Sequence, residues 1–106
     1  MRNIVSNAFS VNMLREMAFL SFIPTNISDV KFYLQEGELY SIIGHKATAD
    51  LLTAKLGVEI KYNRENYTRK KDDRIIVCLP NKRLDEGQVL TEEELSKIDI
   101  KFWIVQ

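Results

Sequence analysis

Residues 74–80 read Arg74-Ile75-Ile76-Val77-Cys78-Leu79-Pro80. A continuous apolar run of this kind, entered from charge and stopped by Pro80-Asn81, is the pattern of a central strand covered on both faces. The fold is therefore organised around a sheet. Upstream, the charged stretch Arg69-Lys70-Lys71-Asp72-Asp73-Arg74 predicts a hairpin turn whose mixed charges solubilise it. Before it, Val58-Glu59-Ile60-Lys61-Tyr62 alternates with period two and predicts a half-exposed strand closed by Asn63-Arg64. Downstream, Thr91 with Glu94 three residues later is a capping-box pattern that opens a short helix, and residues 100–105 return as a final strand.

The first half of the chain supplies the remaining elements. Ile4-Val5, leading into Asn7-Ala8-Phe9, predicts a first buried strand. Ala18-Phe19-Leu20-Ser21-Phe22-Ile23 predicts a second, stopped by Pro24. Ser28 is placed to cap a short helix through Glu36, ended at Gly37. After the punctuation Ser41-Ile42-Ile43-Gly44-His45, the spacing of Ala47, Leu51, Leu52, Ala54 and Leu56 predicts a longer helix that Gly57 terminates. The expectation is an α/β fold: a mixed sheet of five or six strands flanked by three short helices.

With 106 residues the chain makes one domain, residues 1–106, with no linker or repeat to divide it. Fifteen Lys and Arg balance fifteen Asp and Glu, which removes the whole-molecule attraction behind binding to long nucleic acids. No duplex partner is expected, and any anion site must be local. One cysteine, Cys78, forms no intrachain disulfide and no cysteine-based zinc site. No apolar stretch is long enough to span a membrane, and the first residues lack the apolar core of a secretory signal, so the expected location is cytoplasmic. Phosphate-loop, HExxH, GxSxG and paired-cysteine motifs are absent, and neither a cofactor nor a metal is expected.

Candidate chemistry is sparse. His45 is the only histidine, so imidazole acid–base chemistry has a single possible location, at a loop–helix junction where backbone amides can face an anion. The same position suits an ordinary surface side chain. Arg83 and Glu86 lie in a charged loop directly after the central strand, where sites in sheet proteins gather, although such a loop also serves as a plain solvated turn. Asn7 and Ser10 can present polar groups to a phosphate or base, and Ser10 can equally cap a helical turn. Arg64 reads either as a phosphate-binding guanidinium or as a solvated side chain.

Taken together, the run Asn7-Ala8-Phe9-Ser10-Val11-Asn12-Met13-Leu14, the segment Ser41-Ile42-Ile43-Gly44-His45 with Thr48, the dipeptide Asn63-Arg64, and Arg83-Leu84-Asp85-Glu86-Gly87 with Leu90-Thr91 closely resemble the viral ring nuclease family. These are type III anti-CRISPR proteins of archaeal viruses, phages and mobile elements. The resemblance spans nearly the whole chain. It implies a symmetric homodimer that binds cyclic tetra-adenylate, the second messenger of type III CRISPR complexes, and cuts it without a metal. By that resemblance His45 matches the catalytic histidine, Glu86 its partner carboxylate and Arg83 the nearby catalytic arginine. Asn7, Ser10 and Arg64 match ligand-contacting positions. Asp85 and the Pro80-Asn81-Lys82 lead-in vary from some members.

The residue chemistry is compatible with that role. A metal-free cut uses the substrate's own 2′-hydroxyl as an in-line nucleophile and requires a proton for the departing 5′-oxygen, which His45 would supply with Glu86 orienting its ring. Arg83 would stabilise charge growing on the phosphate oxygens. No base for the 2′-hydroxyl stands out. Two other classes compete: a protein that sequesters the cyclic nucleotide without cutting it, and a small DNA-binding regulator, against which the neutral charge and the missing helix-turn-helix signature both count.

Overall fold

The apolar run becomes β4 (Arg74–Pro80), in which residues 75–78 are all buried. The computed structural model describes Met1–Gln106 throughout. On one side β4 pairs in parallel with β1 (Arg2–Ser6), and on the other antiparallel with β5 (Ile100–Val105). β3 (Glu38–Ser41) joins β1 in parallel and β2 (Phe22–Thr25) joins β5 antiparallel, giving a five-stranded mixed sheet of order β2-β5-β4-β1-β3.

Side chains alternate across each strand. Ile76 and Cys78 of β4 point to one face with Val5, Phe102 and Ile104, where Val30 of α1 (Ile27–Leu34) and Ala49, Leu52 and Leu56 of α2 (Lys46–Leu56) cover them. Ile75 and Val77 point to the other face with Ile4 and Val105, under Tyr67, Phe9 and Leu20 from irregular chain and Met13 from a 3-10 turn. A third cluster joins Ala47 and Leu51 of α2 to Leu84 and Ile98, next to α3 (Glu92–Ser96). Each Val, Leu, Ile or Phe covered this fully contributes roughly 1.5–3 kcal/mol of burial, so both faces and the α2–Leu84 contact are well anchored. The result is a single domain with five strands and three helices, plus one 3-10 turn at Val11–Met13.

Several expectations need correction. Residues 58–62 form no strand; only an isolated bridge joins Ile43 to Tyr62. Within this segment Ile60 alone is anchored in the core. Its backbone is satisfied by a side chain instead of a ladder: Ile60 N–H donates to Thr53 Oγ1 at 2.9 Å, and the same hydroxyl lies 3.2 Å from Ile60 O. The charged run consequently closes no hairpin, having no strand in front of it, and its Asp73 is buried rather than solubilising.

The second strand begins at Phe22 and runs through Pro24. β2 is an edge strand, and Ser21 and Gln106 exchange both backbone hydrogen bonds just outside it. Counting on by alternation puts Pro24 opposite Trp103 at a non-hydrogen-bonded pair, where proline has no amide to lose. The first strand ends at Ser6, whose hydroxyl bonds to Ala8 and turns the chain. α1 is capped by Asn26, not Ser28, with Asn26 Oδ1 accepting from Asp29 N–H at 2.9 Å. The sequence pattern gives no sign of β3: its four residues, Glu38–Ser41, follow Gly37 directly and are too few for a periodic signal.

Candidate functional site

His45 is the N-cap of α2, a position usually held by Ser, Thr, Asp or Asn. Its backbone is extended, and its ring turns back over the first helical turn, with Nδ1 3.4 Å from Thr48 N–H and 3.1 Å from Thr48 Oγ1. The opposite ring nitrogen, Nε2, lies 3.0 Å from Glu86 Oε2. Both nitrogens are therefore engaged, and the ring is held between a helix start and a loop. Packing explains how Glu86 arrives there. Leu84 is buried against Ala47 and Leu51 of α2, and this apolar anchor pins the loop after β4 so that Arg83, Asp85 and Glu86 face outward around the helix start.

Those residues line an open cleft of about 650 Å³ with Asn7, His45, Thr48, Asn81 and Lys82. His45 and the loop residues Arg83 and Glu86, far from it in sequence, share this one concavity. Its wall carries two cations, Lys82 and Arg83, and two carboxylates, Asp85 and Glu86. The locally basic character expected of an anion site thus depends on additional groups. Arg64 is one such group: its stem runs beside Gly44, where an added Cβ would sit 3.2 Å from Arg64 Cγ. Glycine at this position lets the arginine pass next to the residue preceding His45. Arg64 itself is exposed and outside the cleft wall.

Asn7 belongs to this cleft and also to a second one of about 370 Å³, which Ser10 lines along with Asn12, Glu65, Asn66 and Thr68. Asn7 is thus the link between the two. Ser10 adopts the capping role: its hydroxyl accepts from Asn12 N–H at 3.2 Å at the head of the 3-10 turn. Thr48, quoted above with the His45 segment but given no role there, contributes the ring contact; the spacing of a cap residue to the third helical position is the local signal for it. Asn81 closes the cleft floor, its Oδ1 accepting from Asp99 N–H at 3.1 Å and so tying the end of β4 to the start of β5.

A second polar cluster lies at the opposite end of the sheet from the site, where β1 and β4 begin. Asp73 accepts from Arg2 Nε at 3.0 Å, Arg2 Nη2 at 2.8 Å, Lys70 N–H at 3.1 Å and the Tyr67 hydroxyl. Burial pushes the Asp73 carboxyl up, but the hydrogen bonds from Arg2, Tyr67 and Lys70 outweigh it and hold the group below its ordinary value. This cluster fastens the irregular chain that carries Arg64 and the second cleft to β1.

The comparisons with known proteins agree with this architecture. The structure of B116 from Sulfolobus turreted icosahedral virus superposes with a TM-score of 0.79 at 28% identity, covering 99% of this chain and 98% of that one. Protein 26 of Sulfolobus islandicus filamentous virus (isolate Iceland/Hveragerdi), described only as uncharacterised, is 35% identical over 81 residues, 76% of this chain and 69% of that protein. YddF of Bacillus subtilis (strain 168), also uncharacterised, is 32% identical over 81 residues, 74% of this chain and 75% of its own length. Relatives thus occur in viruses and in a bacterium. With residues 3–102 matching its signature, the chain belongs to the STIV B116-like family.

Proposed function

We propose that this chain is a metal-independent ring nuclease that binds cyclic tetra-adenylate between two copies of itself and cuts it to linear di-adenylate ending in a 2′,3′-cyclic phosphate. In the cytoplasm this would switch off type III CRISPR signalling. The observation that carries the reading is the imidazole of His45, 3.0 Å from Glu86 in a cleft shared with Arg83. The sequence resemblance supplies the ligand, and the family's occurrence in viruses is consistent with an anti-defence role.

The chemistry balances without a further reagent. The 2′-oxygen attacks phosphorus in line, its proton passes to solvent, the P–O5′ bond breaks, and the 5′-oxygen receives the Nε2 proton of His45. Glu86, 65% exposed on its loop, yields at small cost to let the leaving oxygen reach Nε2, and then remains as the partner of the ring. Arg83 faces the same space and would neutralise charge on the non-bridging oxygens. A two-fold dimer would offer the same apparatus to opposite corners of the ring, giving two cuts, and Arg64 of each copy would add the positive charge that the cleft wall lacks.

His45→Ala tests the assignment. The variant is expected to bind cyclic tetra-adenylate with near-normal affinity and to lose cleavage by ~100–10,000-fold, the usual scale of a general acid. Near-normal single-turnover cleavage by the variant would refute the role of His45. Tight binding with intact ligand from the wild-type protein would favour sequestration instead.

A further inference from the structure

We infer that Asn63 is a positioning residue that holds Arg64 beside the cleft, and that Gly44 keeps clear the space the arginine stem occupies. The inference rests on the reading of the cleft as a site for a cyclic nucleotide, but its structural basis is separate. Residues 61–64 run beside the chain that leaves β3 without forming a strand, with the single bridge between Ile43 and Tyr62 in place of a ladder. Other bonds must fix the segment. Asn63 makes two of them to one loop: its backbone N–H donates to Ile43 O at 2.9 Å, and its Nδ2 donates to Ser41 O at 2.8 Å. Ser41, buried at the end of β3, adds a third through its hydroxyl, which donates to Lys61 O at 2.6 Å. The segment is thereby clamped to residues 41–43, which lead directly into Gly44 and His45.

Gly44 gives independent evidence that the arginine belongs where the clamp puts it. Gly37, Gly57 and Gly87 have positive φ and Gly44 does not, so the backbone at residue 44 makes no demand for glycine. Space does: an added Cβ would meet Arg64 Cγ, Cβ and Cα at 3.2, 3.5 and 3.7 Å. The guanidinium carried on that stem is uncommitted. Arg2 and Arg74 are ion-paired with Asp73 and Glu36, whereas Arg64 has no carboxylate within salt-bridge distance. In the cleft wall Lys82 and Arg83 are balanced by Asp85 and Glu86, so the net attraction for a ring of phosphates depends on Arg64. Asn63 carries no charge and lines no part of that cleft, yet it sets where this charge stands. His45 is fixed separately by Thr48 and Glu86, which confines the effect of Asn63 to binding.

A double-mutant cycle on affinity tests this. Cyclic tetra-adenylate is titrated calorimetrically into protein carrying His45→Ala, which keeps the ring uncut. Arg64→Ala should weaken binding roughly tenfold, the lower end for a charge-assisted hydrogen bond, and flatten its dependence on salt. Asn63→Ala should weaken it roughly fivefold, the scale of one hydrogen bond, and flatten the salt dependence in the same direction although it removes no charge. Added to Arg64→Ala, it should cost less than about twofold more, because its effect passes through the arginine. With His45 restored, Asn63→Ala should cleave at the wild-type single-turnover rate once saturated. An equal cost in both backgrounds, an unchanged salt dependence or a lost rate at saturation overturns the inference. Should Asn63→Ala fail to fold, Gly44→Ala runs the same cycle from the other side; its cost should vanish in Arg64→Ala, where the crowded Cγ is gone, and a persisting cost overturns the role. Backbone ¹⁵N relaxation reads the clamp without ligand: the Arg64 amide should be as ordered as β3 in the wild type and mobile in Asn63→Ala, and equal order in both overturns it. Protein that binds the ring without cutting it overturns the nuclease reading and leaves the cycle standing. Protein that binds no ring overturns the proposed function and the binding role of Arg64 with it, while relaxation still decides whether Asn63 holds the arginine.

Discussion

Replacing Asp73 with alanine is expected to be among the most damaging single changes outside the apolar core. The side chain is 4% exposed and accepts from Arg2 Nε and Nη2, the Tyr67 hydroxyl and Lys70 N–H. Deleting the carboxylate leaves a guanidinium and a phenol facing each other with no acceptor. Breaking one side of a buried ion pair costs ~3–5 kcal/mol. Water reaches Arg2, which is 22% exposed, so the lower end applies, about 3 kcal/mol. Against a typical domain stability of ~5–15 kcal/mol this is a large share. Asp73→Asn sharpens the test, because its amide keeps the volume but turns one acceptor into a donor aimed at Arg2 or Tyr67, and should rescue little. Equilibrium urea unfolding followed by circular dichroism measures both, as a lower midpoint at unchanged slope. Acid should reach the same interaction in the wild type. The carboxyl is held below its ordinary value of 3.8, so its stabilisation is present above that pH and disappears as pH falls through the lowered native value. Asp73→Ala should lack that part of the acid sensitivity. An alanine variant within about 1 kcal/mol of wild type would refute the claim that this cluster fastens the irregular chain to β1.

Burial pushes the Cys78 thiol up to about 12, so it stays protonated at ordinary pH, and native protein should resist a thiol-reactive disulfide reagent that modifies it fully in urea; rapid native labelling would contradict the buried position. Gly37 and Gly57 both have positive φ, 71° and 73°, but a Cβ at Gly37 collides with the Met1 carbonyl oxygen while Gly57 faces open space. Gly57→Ala should cost about 1 kcal/mol of backbone strain and Gly37→Ala distinctly more, so thermal melts should rank wild type, Gly57→Ala, Gly37→Ala. The reverse order for the two variants would count against the close approach of residue 37 to the N-terminus.

The elements with a strong period were readable from the residues: the central strand, α2 with its glycine stop, the Thr91–Glu94 capping box and the last strand all lie where their patterns put them. What misled were segments whose backbone bonds go to distant side chains. Residues 58–62 alternate like a strand, yet Thr53 takes the Ile60 amide that a ladder would have used. Asp73 sits in a run of charges that reads as solvated, and only the fold brings Arg2, seventy-one residues away, to pair with it. The meeting of His45 with Glu86 is of the same kind: each lies in an ordinary-looking local context, and it takes the burial of Leu84 against α2 to bring them together. Motif resemblance could name these residues; local sequence physics could not have paired them.

The central claim is that one imidazole per subunit passes a proton to a departing ribose oxygen with no metal taking part. It is tested most directly by incubating the wild-type protein with cyclic tetra-adenylate in excess chelator and determining the fragment termini by mass spectrometry. Linear di-adenylate with a 5′-hydroxyl and a 2′,3′-cyclic phosphate is expected, formed at the same rate with and without chelator. Fragments bearing a 5′-phosphate, or cleavage abolished by the chelator, would contradict it.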